Sequence, residues 1–156
     1  MRTIIVGKGG SGKDYLKEKF LSKGFTRSIS FTTRPKRESE INGIDYYFVS
    51  EDIFKYKIKN NHFQEYDNFN GWYYGTSFET WNHCEVFIKT PRGVSKISKE
   101  DRKSCFIIYL DIKEEIIRNR ISCRKDKDSV ERRILADRED FKNFTDFDLR
   151  ITNHDF

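Results

Sequence analysis

The run Gly7-Lys8-Gly9-Gly10-Ser11-Gly12-Lys13 has the residue types and the spacing, G-x-x-x-x-G-K, of a loop that cradles phosphate. Glycines at Gly7, Gly9, Gly10 and Gly12 let backbone N–H groups curl round phosphate oxygens, with Ser11 inside the loop. The ammonium of Lys13 can reach the β- and γ-phosphates of a nucleoside triphosphate. Such loops normally place a hydroxyl for Mg²⁺ directly after the lysine, but here Asp14 and then Tyr15 follow. A carboxylate at Asp14 can ligate Mg²⁺, a hard cation that prefers oxygen. It can equally be a first-turn acid favoured by a helix dipole. Arg34 and Arg37 lie three apart, and planar guanidinium groups can fork onto one phosphate, although such a pair is as readily a solvated surface charge. Arg118, Arg120, Arg124, Arg132, Arg133 and Arg138 crowd a third segment, where solvation, nucleic-acid contact and closure over phosphates are all open readings.

The elements that must hold these groups show in the periodicity. Residues 3–6 read as a short buried strand and 13–21 as a helix, with Tyr15, Leu16 and Phe20 at apolar spacing. The glycine loop thus falls between a strand and a helix, whose N-terminus would point its partial positive charge at an anion. Strands are expected at 28–33, 45–49, within 63–75, at 86–89, 105–110 and 149–152, and helices at 51–60, 114–124 and 129–141. Strands alternating with helices imply an α/β layered domain with a mostly parallel sheet. Residues 31–82 break that rhythm and read as an insertion.

Composition narrows the classes. A chain of 156 residues has one domain's worth of core, and its 15% aromatic content is too high for a disordered chain despite only 36% hydrophobic residues. The mean hydropathy is −0.80. The net charge of +5 favours a polyanionic partner, without choosing between nucleotide, nucleic acid and anionic membrane because the charges are mixed in sign. No apolar run is long enough to span a bilayer, and no signal peptide is visible, so no membrane association is expected. Cys84, Cys105 and Cys123 form neither a zinc pattern nor a disulfide framework, and His83 beside Cys84 lacks a second pair. A reducing, cytoplasmic location is expected.

One stretch is more specific than the glycine loop. It runs Ser30-Phe31-Thr32-Thr33-Arg34-Pro35-Lys36-Arg37, then Glu40, Gly43, and Asp45-Tyr46-Tyr47-Phe48-Val49-Ser50. Without a gap it resembles the acceptor-binding segment of guanylate kinases, S-x-T-T-R-x-x-R-x-x-E-x-x-G-x-D-Y-x-F-V-S. The resemblance continues at Phe63-Gln64-Glu65, at Gly71-Trp72-Tyr73-Tyr74-Gly75-Thr76-Ser77 and at 148–153. It implies a three-layer α/β P-loop kinase fold with a parallel core sheet (residues 1–30, 83–121 and 134–156), an inserted acceptor-binding subdomain (31–82) and a short lid (122–133).

The resemblance also implies transfer of the γ-phosphate of ATP, with Mg²⁺, to GMP or dGMP, and no nucleic-acid partner. By resemblance, Arg34, Arg37, Tyr46 and Tyr74 hold the GMP phosphate, with Glu40 a charge partner of the arginines. Ser30, Glu65 and Thr76 read guanine, whose adjacent N1–H and N2–H donors suit an acceptor-only carboxylate. Thr90 is a further residue of the GMP side. Arg124 and Arg133, with Arg120, resemble lid arginines that join Lys13 in catalysis, and Asn153 is placed on the adenine side. The sequence departs from the family at Asp14, at Phe87-Ile88-Lys89-Thr90, where a strand-end acid is missing, and in a shortened lid loop at 125–128. One acid at Asp14 and one hydroxyl at Thr90 suggest that the usual partners have exchanged places. The alternative is a module of the same fold that binds nucleotides or phosphopeptides without catalysis.

Overall fold

The computed structural model describes residues 1–123 and 129–156, so Arg124 and the loop 125–128 lie outside the described residues. In chain order the elements are β1 (Arg2–Gly7), α1 (Lys13–Leu21), β2 (Phe31–Thr32), β3 (Tyr47–Phe48), α2 (Glu51–Lys59), β4 (Phe63–Phe69), β5 (Trp72–Ser77), α3 (Phe78–His83), β6 (Val86–Ile88), α4 (Pro91–Ser95), α5 (Lys99–Arg102), β7 (Cys105–Leu110), α6 (Glu114–Ser122), α7 (Val130–Phe141) and β8 (Leu149–Ile151).

The core sheet has the order β6-β1-β7-β8, and every pairing in it is parallel. Its central strands are apolar on both faces, as a sheet covered on both sides demands. Ile4 and Val6 of β1 join Trp81, Phe87, Val94, Tyr109 and Phe141 in one buried cluster. Ile5 points the other way and packs with Val86, Ile108, Leu110, Ile117 and Ile121. Residues of α3, α4 and α7 thus cover one face, while α6, with Leu16 and Phe20 of α1, covers the other. This is the expected three-layer arrangement.

A second sheet has the order β3-β2-β5-β4, with β4 and β5 as an antiparallel hairpin. Aromatic stacking organises it: Phe54 of α2 lies 4.5 Å from the Phe63 ring and 5.2 Å from the Tyr73 ring. Gly75 is required beneath that stack, because a Cβ there would stand 2.9 Å from Phe54 and 3.0 Å from Phe63.

Three expectations need correction. The strand anticipated at 28–33 is only Phe31–Thr32, because residues 28–30 cross between sheets. Ser28 N–H donates to Val86 O of the core sheet at 3.2 Å, and Ser30 O accepts from Tyr47 N–H of the second sheet at 2.9 Å. The strand anticipated at 45–49 shrinks to Tyr47–Phe48, since Gly43 N–H closes a turn onto Tyr46 O. Helices α3, α4 and α5 were not expected. Each is capped by a side-chain oxygen, from Ser77, Thr90 and Ser98 respectively. α4 also starts with Pro91, whose preset φ suits the first helical turn.

Candidate active site

The C-terminal end of β1 runs into the glycine loop, and the loop into α1. Gly12 caps the helix at φ 98° and Gly10 stands at φ 79°, both in the left-handed region where a side chain is strained. Gly7 is required for space: a Cβ there would meet Ser11 Oγ at 2.5 Å and the Leu110 backbone oxygen at 3.1 Å. Lys13 Nζ curls back over the loop, donating to Gly7 O at 2.7 Å and Lys8 O at 2.8 Å. Arg120 of α6 reaches the same loop and donates to Gly10 O at 3.1 Å. The Phe156 ring lies over Gly12, 3.0 Å from where a Cβ would stand.

This loop forms one end of a cavity of about 870 Å³. Gly7, Gly9, Gly10, Gly12, Lys13, Asp14, Tyr15 and Arg120 line it, together with Arg133 of α7. Ser30, Arg34, Arg37, Tyr46, Glu65, Tyr74, Thr76 and Thr90 line it as well, so residues far apart in sequence meet in one space. Ser11 is buried in the loop and Glu40 stands behind the arginines, both outside the lining. Asn153 is also outside it, where its side chain accepts from Asp155 N–H at 3.1 Å.

The two threonines before Arg34 explain its placement. Thr32 Oγ1 donates to Tyr73 O at 2.9 Å and accepts from Arg34 N–H at 3.1 Å. Thr33 Oγ1 accepts from Tyr73 N–H at 2.9 Å. Arg34 is buried, and its two terminal nitrogens donate to the two oxygens of Glu40 at 3.0 and 2.6 Å. Its paired donors thus face Glu40, while Arg34 also lines the cavity. Burial is the largest single influence and opposes both charges, but their mutual hydrogen bond and the surrounding charges, with the Arg37 N–H for Glu40, together outweigh it: Glu40 is held below the ordinary carboxylate range and Arg34 above its ordinary value. Arg37 adds an ion pair to Glu40 at 3.5 Å. Burial pushes the phenols of Tyr46 and Tyr74 up, so both stay neutral hydrogen-bonding groups beside Arg34. Arg34→Ala leaves the Glu40 carboxylate with Arg37 as its remaining partner. It is expected to lower folding stability by about 1–3 kcal/mol, read by chemical denaturation, with part of the loss recovered when Glu40→Gln is added.

Opposite these groups, Glu65 of β4 and Thr76 of β5 are buried neighbours, with Thr76 Oγ1 donating to Glu65 Oε1 at 2.7 Å. A residue that sequence reasoning passed over completes the cluster. Lys89, at the end of β6, is buried and donates to the same Glu65 oxygen at 2.5 Å and to Thr76 Oγ1 at 3.1 Å. Thr90 Oγ1 accepts from Gly93 N–H at 3.0 Å as the cap of α4. Asp137 of α7 was also passed over: its Oδ2 accepts from Gly9 N–H at 2.8 Å. Burial pushes the Asp137 carboxyl up, against the pull of Lys13, Gly9 N–H, Lys8 and Arg133. An anion entering the loop must therefore share Gly9 N–H with Asp137 or displace it. Lys89 follows an apolar strand and Asp137 sits in a charged helix, so neither stands out by local pattern.

Asp14 is 77% exposed on the first turn of α1, with Lys17 Nζ at 3.5 Å. Among the described residues no group of three His, Cys, Asp or Glu side chains could hold a metal. Arg118 and Arg138 bond Glu114, which is drawn down to about 2 chiefly by Arg138, so these arginines turn away from the cavity.

The guanylate kinase family model matches residues 1–156, the whole chain. The chain belongs to the guanylate kinase family. It is 34% identical to a guanylate kinase of Hydrogenovibrio crunogenus over 98% of this chain and 80% of that protein. It is 32% identical to a guanylate kinase of Sus scrofa, over 96% and 83% of the two chains. The crystal structure of guanylate kinase from Anaplasma phagocytophilum shares the fold, with a TM-score of 0.73 at 22% identity, covering 99% of this chain and 78% of that one. Guanylate kinase family membership thus covers both ends of the cavity, and no described helix is long and apolar enough to cross a membrane.

Proposed function

We infer that the chain transfers the γ-phosphate of ATP to GMP or dGMP. The observation that carries this is the single cavity in which a glycine loop with its lysine faces a buried carboxylate, a hydroxyl pair and a pair of arginines. In this reading residues 31–82 form the acceptor-binding subdomain and 122–133 the lid. The phosphates of ATP lie on the loop N–H groups and Lys13, while the acceptor phosphate lies by Arg34, Arg37, Tyr46 and Tyr74. Guanine is read by Ser30, Glu65 and Thr76. An oxygen of the acceptor phosphate then forms a bond to the γ-phosphorus as its bond to the β-bridging oxygen breaks. The acceptor is already anionic, so no general base is needed. What the protein supplies is positioning, charge for the equatorial oxygens from Lys13, Arg120 and Arg133, and exclusion of water. A cytoplasmic location suits the three free cysteines.

Mg²⁺ is expected to enter with ATP, where it neutralises phosphate charge. The donor set fits that role: one exposed carboxylate, at Asp14, stands beside Lys13 and leaves the remaining positions to phosphate and water. Asp14→Ala is expected to reduce Mg²⁺-dependent turnover by about tenfold, seen as a higher Mg²⁺ requirement in steady-state rates. Adding Thr90→Asp to Asp14→Ser should recover part of it if acid and hydroxyl have exchanged places. Unchanged turnover with tighter ATP binding in Asp14→Ala would show instead that Asp14 only repels phosphate.

The direct test is ADP release measured across GMP, dGMP, AMP, CMP and UMP. The guanine nucleotides should be phosphorylated far faster than the others. Equal rates with AMP and GMP would overturn the assignment of the base pocket.

A further inference from the structure

Lys89 belongs to neither set of residues that the family resemblance assigns, yet it touches the centre of the base pocket. Its backbone N–H donates to Ile5 O at 3.1 Å, extending the ladder with β1 next to the glycine loop. Its side chain is 1% exposed. The ammonium lies 5.0 Å from the Trp81 ring centroid and makes its two hydrogen bonds to Glu65 Oε1 and Thr76 Oγ1. Thr76 Oγ1 donates to that same Oε1. Among the described residues, Oε2 of Glu65 makes no hydrogen bond, and it faces the turn of Gly93, 3.4 Å from where a Cβ would stand there.

The geometry points to Lys89 as the positioning residue of the base reader: it holds Glu65 Oε1 so that Oε2 alone is presented to the acceptor base. Three features support this. The carboxylate is buried, and a buried charge without a partner is strongly disfavoured, so its counter-charge decides whether it can serve as an acceptor. Two donors converge on one oxygen, which fixes the rotation of the carboxylate plane. The lysine hangs from the core sheet while Glu65 belongs to the second sheet, so the pair also sets the distance from the base to the phosphate loop. Burial lowers the Lys89 ammonium below its ordinary value, against the pull of Glu65. The inference rests on the reading that Glu65 recognises the acceptor base.

The test compares wild type, Lys89→Met, Glu65→Gln and the double variant by steady-state kinetics in GMP and ATP. Lys89→Met is expected to raise KM for GMP at least about tenfold, with KM for ATP unchanged and kcat within about threefold. In the Glu65→Gln background the same substitution should not raise KM for GMP further, because no carboxylate remains to position and the freed amide can turn its oxygen to the base. Where Lys89→Met alone fails to fold, the double variant, which carries no unpaired buried charge, is compared with Glu65→Gln: a KM for GMP raised further in the double variant overturns the inference, and one not raised supports it. An unchanged KM for GMP in Lys89→Met, or an equal penalty in both backgrounds, overturns the inference and leaves Lys89 as a packing residue. A wild type inactive on GMP overturns the proposed function, and this inference with it. A wild type active on GMP whose Lys89→Met variant matches it removes only this inference.

Discussion

Replacing Lys13 with methionine is expected to cut ADP formation with GMP by roughly 10³-fold while leaving GMP binding intact. Lys13 Nζ lies over the loop within 2.8 Å of two of its carbonyl oxygens, where β- and γ-phosphate oxygens would arrive. The charge that develops on the transferred group is spread over oxygens that this ammonium would touch. Methionine keeps the stem and removes the charge, so the loss falls on the chemical step and on ATP binding. Steady-state ADP release checks the first, titration calorimetry with each nucleotide the second, and the thermal midpoint confirms that the fold survives. Loss of GMP binding alone would mean that the two ends of the cavity have been assigned in reverse.

Glu65→Gln should have the next largest effect, on the choice of base. Lys89 Nζ and Thr76 Oγ1 both donate to Glu65 Oε1. A glutamine there must place its carbonyl oxygen at that position, which leaves its NH₂ where Oε2 now stands. The NH₂ then faces the N1–H and N2–H donors of guanine, donor against donor. Adenine presents an acceptor at N1 and suffers no such clash. The ratio of kcat/KM for GMP to that for AMP is expected to fall by about 10²-fold or more, measured with both acceptors at saturating ATP. An unchanged ratio would remove Glu65 from base recognition.

The groups that the sequence reveals are those whose signal is local. The glycine loop is a contiguous pattern between a strand and a helix, and the structure places Lys13 and its glycines as that pattern implies. The acceptor motif is legible because its turns and caps act over a few residues: Thr32 holds the Arg34 backbone, and Glu40 bonds both Arg34 and the Arg37 backbone N–H. Lys89 and Asp137 have their partners at Glu65 and Gly9, which only tertiary folding brings near. Nothing beside Lys89 in the chain says that its ammonium will be buried. The short helices split on the same principle. Thr90 before Pro91 is a helix-start signal that could have been read. α3 buries only Trp81 and has no periodicity to detect.

The chain passes from the core sheet to the second sheet at residues 28–30, with Ser30 lining the cavity at the crossing. Several further ties between the sheets lie at and near Glu65. Lys89 bonds it directly, and from α4 and its C-terminal cap Arg92 and Lys96 pair with Asp67 of β4 at 3.8 and 3.7 Å. These attachments would make an axle beside Ser30 and Glu65, the cavity residues proposed to read the base. Arg34 projects from it on a lever of about 13 Å, the extended length from Ser30 onward. A swing of roughly 10° about such an axle would carry the Arg34 end some 2 Å towards or away from the glycine loop, by the same lever length, with Ser30 and Glu65 scarcely shifted. In the proposed reading the base would therefore sit near the joint between the two sheets, and the acceptor phosphate farther out, by Arg34.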